Sequence, residues 1–324
     1  MSTPDPRLLR DAMGRVLLAC LPGLLASFWL LGWGLLFSLL LCMLAAACCE
    51  AACLTLRGRP VATALSDGSA LVTAVLLALA LPTQAPWWLP VIAATIAIGL
   101  GKQAFGGVGR NVFNPAMVGY AFVLLSFPLQ MSHWPAQPPG FFDSLNLVFG
   151  SREQIDAWAG PTVLDGLRHN LSLTIEELFA HHPGFGHFGG RGIEWVNLAF
   201  LLGGVFLIQR RVCSWHAPVG LLAALFVFSL LGWNGSGSDS NGSPLLHLFS
   251  GSTMLAAFFI ATEPVSGPKA GLAKLMFGVG AGALIYVIRT WGSYPDGTAF
   301  AILLMNLAAP GLERLATRQQ QVAP

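Results

Sequence analysis

Apolar residues along this chain of 324 residues gather into ten segments, and a long polar stretch, residues 132–192, divides them into two sets of five. Runs of about 20 apolar residues span the hydrocarbon core of a bilayer as helices. Glycine and proline interrupt the segments often, which membrane helices tolerate where neighbours satisfy the backbone. The pattern predicts an all-α polytopic membrane protein with about ten transmembrane helices. The segments cover residues 16–34, 35–56, 70–82, 87–101, 115–131, 193–209, 217–232, 248–262, 275–290 and 298–312.

Composition supports the membrane class and excludes several chemistries. Hydrophobic residues make up 55% of the chain and charged residues only 10%, whereas soluble domains are about a quarter charged. A net charge of +2 gives no reason to expect nucleic acid as a partner. The six cysteines include no Cys-x-x-Cys pair and none lies in the polar stretch, which argues against disulfides, iron–sulfur clusters and attached haem.

The basic residues predict how the chain is oriented in the membrane. With a cytoplasmic N-terminus, most lysines and arginines between the segments fall on the cytoplasmic side, as the positive-inside rule requires. Both termini are then cytoplasmic, and residues 132–192 form one large periplasmic loop at the bacterial inner membrane. The residues on the cytoplasmic side are Arg7, Arg10, Arg15, Arg57, Arg59, Lys102, Arg110, Arg210, Arg211, Lys269, Lys274, Arg314 and Arg318.

Five spans on each side of the loop predict two membrane halves, residues 1–131 and 193–324, in opposite orientations. A weak internal similarity supports such an inverted repeat, because Asp67-Gly-Ser opens the third span and Ser250-Gly-Ser opens the eighth. Both spans are too short to cross a bilayer as regular helices. Short segments at matching positions of inverted halves are typical of half-helices that meet near a transport pathway.

Three carboxylates near the ends of the spans are the candidates for an ion pathway: Asp67, Glu263 and Asp296. Ionisable residues inside membrane segments are functional candidates by default. Asp67 and Asp296 precede helix starts, where a carboxylate also serves as a helix cap. Glu263 ends a span, where a carboxylate is electrostatically unfavourable and needs another reason. The residues do not choose between sodium and protons.

The periplasmic loop contains the polar decapeptide Asp156-Ala-Trp-Ala-Gly-Pro-Thr-Val-Leu-Asp165. Thr162 precedes an apolar-periodic run, so by itself it predicts a helix N-cap. The loop histidines fit no recognised metal-ligand spacing, and no metal site is predicted. No catalytic residue can be assigned from the sequence.

Four segments together resemble the RnfD component of the Rnf ion-translocating electron-transport complex, which is related to the NqrB component of the sodium-pumping NADH:quinone reductase. The matches extend over nearly the whole chain. They are Asp67-Gly-Ser-Ala-Leu-Val-Thr73, Gly101-Lys-Gln-Ala-Phe-Gly-Gly-Val-Gly-Arg-Asn-Val-Phe-Asn-Pro-Ala-Met-Val-Gly-Tyr-Ala121, Phe259-Ile-Ala-Thr-Glu-Pro264 and Tyr294-Pro-Asp-Gly-Thr-Ala-Phe-Ala-Ile-Leu-Leu-Met-Asn306.

The resemblance implies a urea-channel-like fold and a flavoprotein. Its acceptor motif, Asp-x-x-Ser/Thr-Gly-Ala-Thr, places FMN on Thr162 as an FMN phosphoryl threonine installed by a flavin transferase. Asp156, Gly160 and Thr162 match the motif, while Ala159 replaces Ser/Thr and Pro161 replaces Ala. The related component also carries a noncovalent riboflavin, for which this sequence offers no assignable residue.

The resemblance further implies the function: a flavin-carrying subunit of a translocase that couples electron transport to ion transport, not catalytic alone. Its partners would be the other subunits of an Rnf-type complex (A, B, C, E and G), the flavin transferase and the lipid bilayer. Two alternatives use the same architecture without a cofactor. One is a urea-channel-like transporter, and the other is a structural scaffold subunit in which the changes at Ala159 and Pro161 have ended flavinylation.

Overall fold

A computed structural model describes residues 6–151, 155–170, 172–294 and 296–322. The chain is mostly helical, which confirms the predicted class of polytopic α-helical membrane protein. Its residues form two compact units, Met1–Gly160 and Pro161–Pro324. The boundary between them lies inside the predicted periplasmic loop, and the prediction of two inverted halves with about ten spans remains a prediction.

The first unit contains long apolar helices followed by short ones. α1 and α2 are long and apolar enough to cross a membrane, whereas α4 and α6 are shorter apolar helices. The elements are α1 (Pro6–Leu31), α2 (Trp33–Leu56), α3 (Val61–Leu65), α4 (Ser69–Ala80), α5 (Trp88–Ile96), α6 (Pro115–Ser126), α7 (Pro128–Ser132), β1 (Trp134–Pro135), α8 (Phe141–Phe149), α9 (Ile155–Trp158) and β2 (Ala159–Gly160).

Helix α2 lies at the centre of the first unit and packs against α4 and α5. Its buried residues recur every three or four positions, which places them on one helical face. Small residues on this face allow close backbone approach, as is common between membrane helices. The buried residues of α2 are Gly34, Leu35, Ser38, Cys42, Ala46, Glu50 and Leu54.

A π-helical segment, Ala97–Gln103, continues α5 before a glycine-rich loop. The amide of Ala104 donates to the carbonyl of Gly99, five residues earlier, over 2.8 Å. The loop then ends at Asn114, whose side chain accepts a hydrogen bond from the amide of Met117, and Pro115 occupies the first turn of α6. Asparagine caps followed by proline are favourable helix starts, so this local sequence fixes where α6 begins.

The second unit also combines long and short apolar helices, but here the shorter ones come first in the chain. α16 and α17 contain stretches long enough to cross a membrane, Gly271–Trp291 and Thr298–Arg318, and α12 and α13 are shorter. The elements are α10 (Val163–Arg168), α11 (Ile175–His181), α12 (Ile193–Gln209), α13 (His216–Leu231), α14 (Pro244–Leu248), α15 (Thr253–Leu255) with a π-helical continuation Ala256–Ile260, α16 (Gly271–Trp291) and α17 (Thr298–Val322).

Helices α13 and α16 approach each other through glycines. A Cβ atom added at Gly278 would lie 2.2 Å from the carbonyl oxygen of Ala217, and one added at Gly282 would lie 2.2 Å from that of Leu221. These distances are shorter than any real Cβ contact, so the backbones touch directly at both positions. The third and eighth predicted spans are short, as expected: α4 covers Ser69–Ala80, and α15 with its π continuation covers Thr253–Ile260.

We expect Gly119→Ala to lower the stability of the protein, because a methyl group at this position on α6 would lie 2.3 Å from the carbonyl oxygen of Ala93. Overpacking of this kind costs about 1–3 kcal/mol. Gly14→Ala is the matched control, since no heavy atom lies within 4 Å of an added Cβ at Gly14. Thermal unfolding in detergent measures both variants, and equal midpoints would contradict the packing described for α5 and α6.

Candidate functional site

Two clusters of buried and half-buried polar side chains, one in each unit, contain the candidate residues Asp67 and Asp296. The lysine cluster of the first unit consists of Glu50, Asp67, Ser69, Lys102 and Gln103. The arginine cluster of the second unit consists of His247, Ser252, Thr253, Arg289 and Asp296. Charged groups in a membrane protein are costly unless they pair, so each cluster needs a physical account.

The lysine cluster is built on a buried ion pair. The ammonium of Lys102 lies 2.5 Å from Oε1 of Glu50, and their side chains are only 3% and 1% exposed. Lys102 also donates to Oγ of Ser69 over 2.8 Å, and Nε2 of Gln103 donates to Oε1 of Glu50 over 3.0 Å. The π-helical segment that contains Lys102 and Gln103 therefore presents two donors to one carboxylate of α2.

Asp67 joins the same cluster through Ser69. Its Oδ1 accepts hydrogen bonds from the amide of Ser69 over 2.7 Å and from the hydroxyl of Ser69 over 2.5 Å. The intervening Gly68 adopts φ +78°, a left-handed conformation that favours glycine. Asp67 thus caps the start of α4, as its position in the sequence predicted, and is linked to Lys102 by a single hydroxyl.

Glu50 has one acceptor left over. Its Oε2 is buried and has no hydrogen-bond partner among the described residues. An unpaired buried carboxylate oxygen is costly, and such atoms often mark a site that binds water or an ion. Glu50 and Lys102 were not among the ion-pathway candidates chosen from the sequence. A glutamate within an apolar run and a lysine after Gly101 were the available signals, but 52 residues separate the partners.

The arginine cluster centres on the guanidinium of Arg289, whose side chain is 1% exposed. Arg289 donates to Oδ1 of Asp296 over 3.2 Å and to Oγ1 of Thr253 over 3.0 Å. It also donates to the carbonyl oxygen of His247 over 2.7 Å. The guanidinium therefore ties α16 to the end of α14 and to the first residue of α15.

Asp296 uses both of its oxygens as helix caps. Oδ2 accepts from the amide and hydroxyl of Ser252 over 3.0 and 2.8 Å, just before α15, and Oδ1 accepts from the amide and hydroxyl of Thr298 over 3.2 and 2.8 Å, at the start of α17. Burial alone would raise the pKa of Asp296, but Arg289 and these hydrogen bonds hold that pKa below its usual range. The expected N-cap role is confirmed and extends to a second helix.

His247 is the neutral member of the cluster. Burial and the nearby charge of Arg289 lower the pKa of His247 to about 4. Its Nε2 lies 2.8 Å from the carbonyl oxygen of Asn241 and therefore carries the proton, and its ring packs edge-on against Tyr286 at 5.3 Å.

Glu263 lies away from the arginine cluster. Its Oε2 accepts from the amide of Ser266 over 2.8 Å and from the hydroxyl of the same residue. Glu263 follows the π-helical continuation of α15, whereas Asp296 caps the start of α15. These two predicted candidates therefore lie at opposite ends of that short helix. The hydrogen bonds to Ser266 explain why a carboxylate is present at the end of the span, which the sequence did not explain.

Thr162 is the N-cap of α10. The amide of Asp165 donates to Oγ1 of Thr162 over 3.2 Å, and the amide of Thr162 donates to Oδ2 of Asp165 over 3.3 Å. The hydroxyl of Thr162 also donates to this Oδ2, over 2.7 Å. This reciprocal capping box leaves Thr162 half-buried and the preceding Pro161 exposed. In the first unit, Ala159–Gly160 of the same decapeptide pairs antiparallel with Trp134–Pro135, and Asp156 lies in α9 with an exposed side chain.

Helix α10 packs next to the arginine cluster. Val163 and Leu164 are buried in a small apolar core with Leu178, Phe185 and Leu246. A Cβ added at Gly251 would lie 3.1 Å from Cδ1 of Leu164, 2.9 Å from Nη2 of Arg289 and 2.7 Å from Oδ2 of Asp296. The start of α10 therefore packs against the backbone turn at Gly251, which lies next to the Arg289–Asp296 ion pair.

Asp296→Asn is expected to destabilise the second unit strongly, because it leaves Arg289 as an unpaired buried charge. Breaking a buried pair in this way costs about 3–5 kcal/mol. Asp11→Asn is the matched control, since it removes only the exposed Arg15–Asp11 pair, with side chains 45% and 59% exposed, and such pairs contribute about 0–1 kcal/mol. Thermal unfolding of both variants checks this, and a similar loss in both would contradict it.

His247 should make stability depend on pH. The pKa of a histidine in an unfolded chain is about 6.5, whereas the pKa of His247 in the fold is about 4. Between these values the unfolded state binds more protons, so stability falls as the pH is lowered, by about 1.4 kcal/mol per pH unit at most. Unfolding midpoints measured from pH 7 to pH 4.5 should decline in the native chain. His247→Gln should reduce that slope, and an unchanged slope would contradict the assignment.

Comparison with known proteins assigns the chain to a family. A family model described as "NQR2, RnfD, RnfE family" matches residues 3–322. The chain is 57% identical over 314 residues to the D component of the ion-translocating oxidoreductase complex of Pseudomonas aeruginosa, with 96% of this chain and 90% of the relative covered. It is 59% identical over 306 residues to the component of the same name from Ectopseudomonas mendocina, with 94% and 89% covered.

A more distant relative agrees with these two. The chain is 47% identical over 323 residues to the D component of the ion-translocating oxidoreductase complex of Marinobacter nauticus, with 96% of this chain and 92% of the relative covered. The resemblance found in the four sequence segments is therefore confirmed across the chain. This protein belongs to the NQR2, RnfD, RnfE family.

Proposed function

We propose that this protein is the flavin-carrying membrane subunit of a complex that couples electron transfer to ion movement across the bacterial inner membrane. Its relatives are named as the D components of ion-translocating oxidoreductase complexes, which supports membership of such a complex. Other subunits of an Rnf-type complex (A, B, C, E and G) would deliver and remove electrons, because the described residues offer no ligand set for iron.

The observation that carries the flavin part of the proposal is the geometry of Thr162. Thr162 is half-buried in the second unit, next to the exposed Pro161. Asp165 holds its hydroxyl in one orientation over 2.7 Å. An oriented hydroxyl beside an exposed residue fits the acceptor of a phosphoester, so these residues are compatible with covalent FMN installed by a flavin transferase.

Once bound, FMN would supply the ability to accept two electrons and release them singly. The chain's own contribution is position. Val163 and Leu164 fix α10 in an apolar core, and Gly251 connects that core to the arginine cluster. Asp165 acts as a positioning residue, because it orients the hydroxyl that the transferase must reach. No described residue is assigned to a noncovalent riboflavin.

For ion movement, the lysine cluster is the stronger candidate pathway of the two clusters. Its distinguishing feature is Oε2 of Glu50, which is buried with a free acceptor, and Asp67 is linked to Lys102 there through the Ser69 hydroxyl. Asp67, Asp296 and Glu263 all accept hydrogen bonds from backbone amides, and those caps account for each of them without an ion. With both termini cytoplasmic, the lysine cluster would lie towards the cytoplasm and Thr162 in the periplasm.

The alternatives are a cofactor-free, urea-channel-like transporter and a scaffold subunit. The capping box at Thr162 does not discriminate between the three functions. A threonine can serve as a helix cap in each of them, with or without a modification. A direct test of covalent flavin on this residue separates them from the proposal.

We expect Thr162→Ala to abolish covalent flavin in a chain coexpressed with an active flavin transferase, because the acceptor oxygen is removed. The readout is ultraviolet fluorescence of the denatured band on a gel. A dark band from the native chain, with the transferase active on another substrate, would refute the flavin proposal.

Thr174→Ala provides a closely matched control. Thr174 caps α11 in a capping box with Glu177, with φ −68° and ψ 162° against φ −69° and ψ 164° at Thr162. Both variants should lose about 0.5–2 kcal/mol of capping energy. Fluorescence should vanish only at Thr162, and its loss in both variants would point to misfolding instead.

A further inference from the structure

Helix α8 of the first unit has three faces of different character. At about 100° per residue, one arc carries the buried residues Ser144, Leu147 and Val148. A second arc is exposed and polar. The third arc is exposed and apolar, and its residues are Phe141, Phe142, Leu145 and Phe149.

The sharp division of the exposed half is the unusual feature. Asp143 and Asn146 lie on one side of it, and the apolar arc lies on the other. Phe142 is 80% exposed, the largest value in this helix for an apolar residue. A helix in a water-exposed loop would place polar residues over the whole exposed half. A helix that lies along the boundary between lipid and water needs the division seen here.

Contacts within the first unit fix α8 at the end of a membrane helix. Phe141 packs edge-on against Trp33, the first residue of α2, with ring centroids 5.3 Å apart, and Phe149 packs against Phe37 at 5.8 Å. At the other end of α8, the amide of Trp87 donates to the carbonyl oxygen of Val148 over 3.0 Å. The helix therefore lies at the level where α2 begins.

Tryptophans mark the same level. Trp29 near the end of α1 is 86% exposed, Trp33 opens α2, and Trp87 immediately precedes α5. Tryptophan is enriched where membrane helices meet the headgroup region. Asp143 is the only residue of types Asp, Glu, Lys or Arg between residues 127 and 151, so attraction to lipid at this surface would be apolar and not electrostatic.

We propose that α8 is an interfacial helix, with Phe142, Leu145 and Phe149 inserted among the lipids of the adjoining leaflet. Its apolar arc adjoins apolar residues of both long helices, because Phe141 contacts Trp33 of α2 and Trp33 contacts Phe28 of α1. This inference rests on the membrane location of the chain and is independent of the flavin.

Photocrosslinking in the intact complex tests the proposal. p-Benzoylphenylalanine replaces Phe142 in one variant and Asn146, on the polar arc, in a matched control. After irradiation in native membranes, mass spectrometry should find lipid adducts on the peptide containing position 142, in several-fold excess over position 146. A protein adduct at position 142, equal lipid yields at both positions, or no adduct at either would overturn the proposal.

A measurement on the unsubstituted chain guards against misfolding of the variants. Hydroxyl-radical footprinting in bilayers should leave Phe142 largely unoxidised, although the protein itself covers only a fifth of its surface, since it is 80% exposed. Rapid oxidation of Phe142 in bilayers would show that water reaches this arc and would contradict insertion.

Discussion

Arg289 and Asp296 form a largely buried ion pair, with side chains 1% and 21% exposed, and several of their other hydrogen bonds hold backbone turns and helix starts. Removing two charges from water is expensive, and their mutual attraction offsets that cost only when further hydrogen bonds complete the geometry. Here the guanidinium binds the last turn of α14, and the carboxylate caps both α15 and α17. The short helix α15, the long helices α16 and α17, and the α10 turn above them therefore share one electrostatic anchor.

In the first unit, too, a short helix begins at a carboxylate near a buried cation, but the cation is different. Ser69 and Ser252 follow glycine in the two similar tripeptides, and each donates its hydroxyl to the carboxylate that caps the helix start. The partner cation is Lys102 in one case and Arg289 in the other. A guanidinium has a fixed fork of five donors, whereas an ammonium is a compact charge with three. Each cluster keeps buried polar atoms that have no hydrogen-bond partner among the described residues: Oε2 of Glu50 in the first, and Nε of Arg289 and Nδ1 of His247 in the second.

Local features of this fold, such as helix caps, could be predicted from the sequence. The ion pairs between residues that are distant in the sequence could not. Asp67, Asp296 and Thr162 precede helix starts, and capping rules anticipated all three. The short third and eighth helices were predicted from the short length of their apolar segments. The Lys102–Glu50 pair was not predicted, because its two residues are far apart in the sequence. They meet through a π-helical turn, which a hydropathy pattern does not reveal. Arg289 lies at the end of the ninth predicted segment, and nothing in its local sequence indicated that tertiary packing would bury it.

The π-helical segment Ala97–Gln103 has a consequence for how Lys102 is specified. A π turn holds one residue more than an α turn, so it behaves as a single-residue insertion absorbed within a helix. If the same residues were wound as a regular α-helix, every side chain after the wide turn would point about 100° away from its present direction. The contact between Lys102 and Glu50 therefore depends on how this segment is wound as much as on residue identity. Winding the segment as an α-helix would separate the two charges while leaving both of them in the sequence.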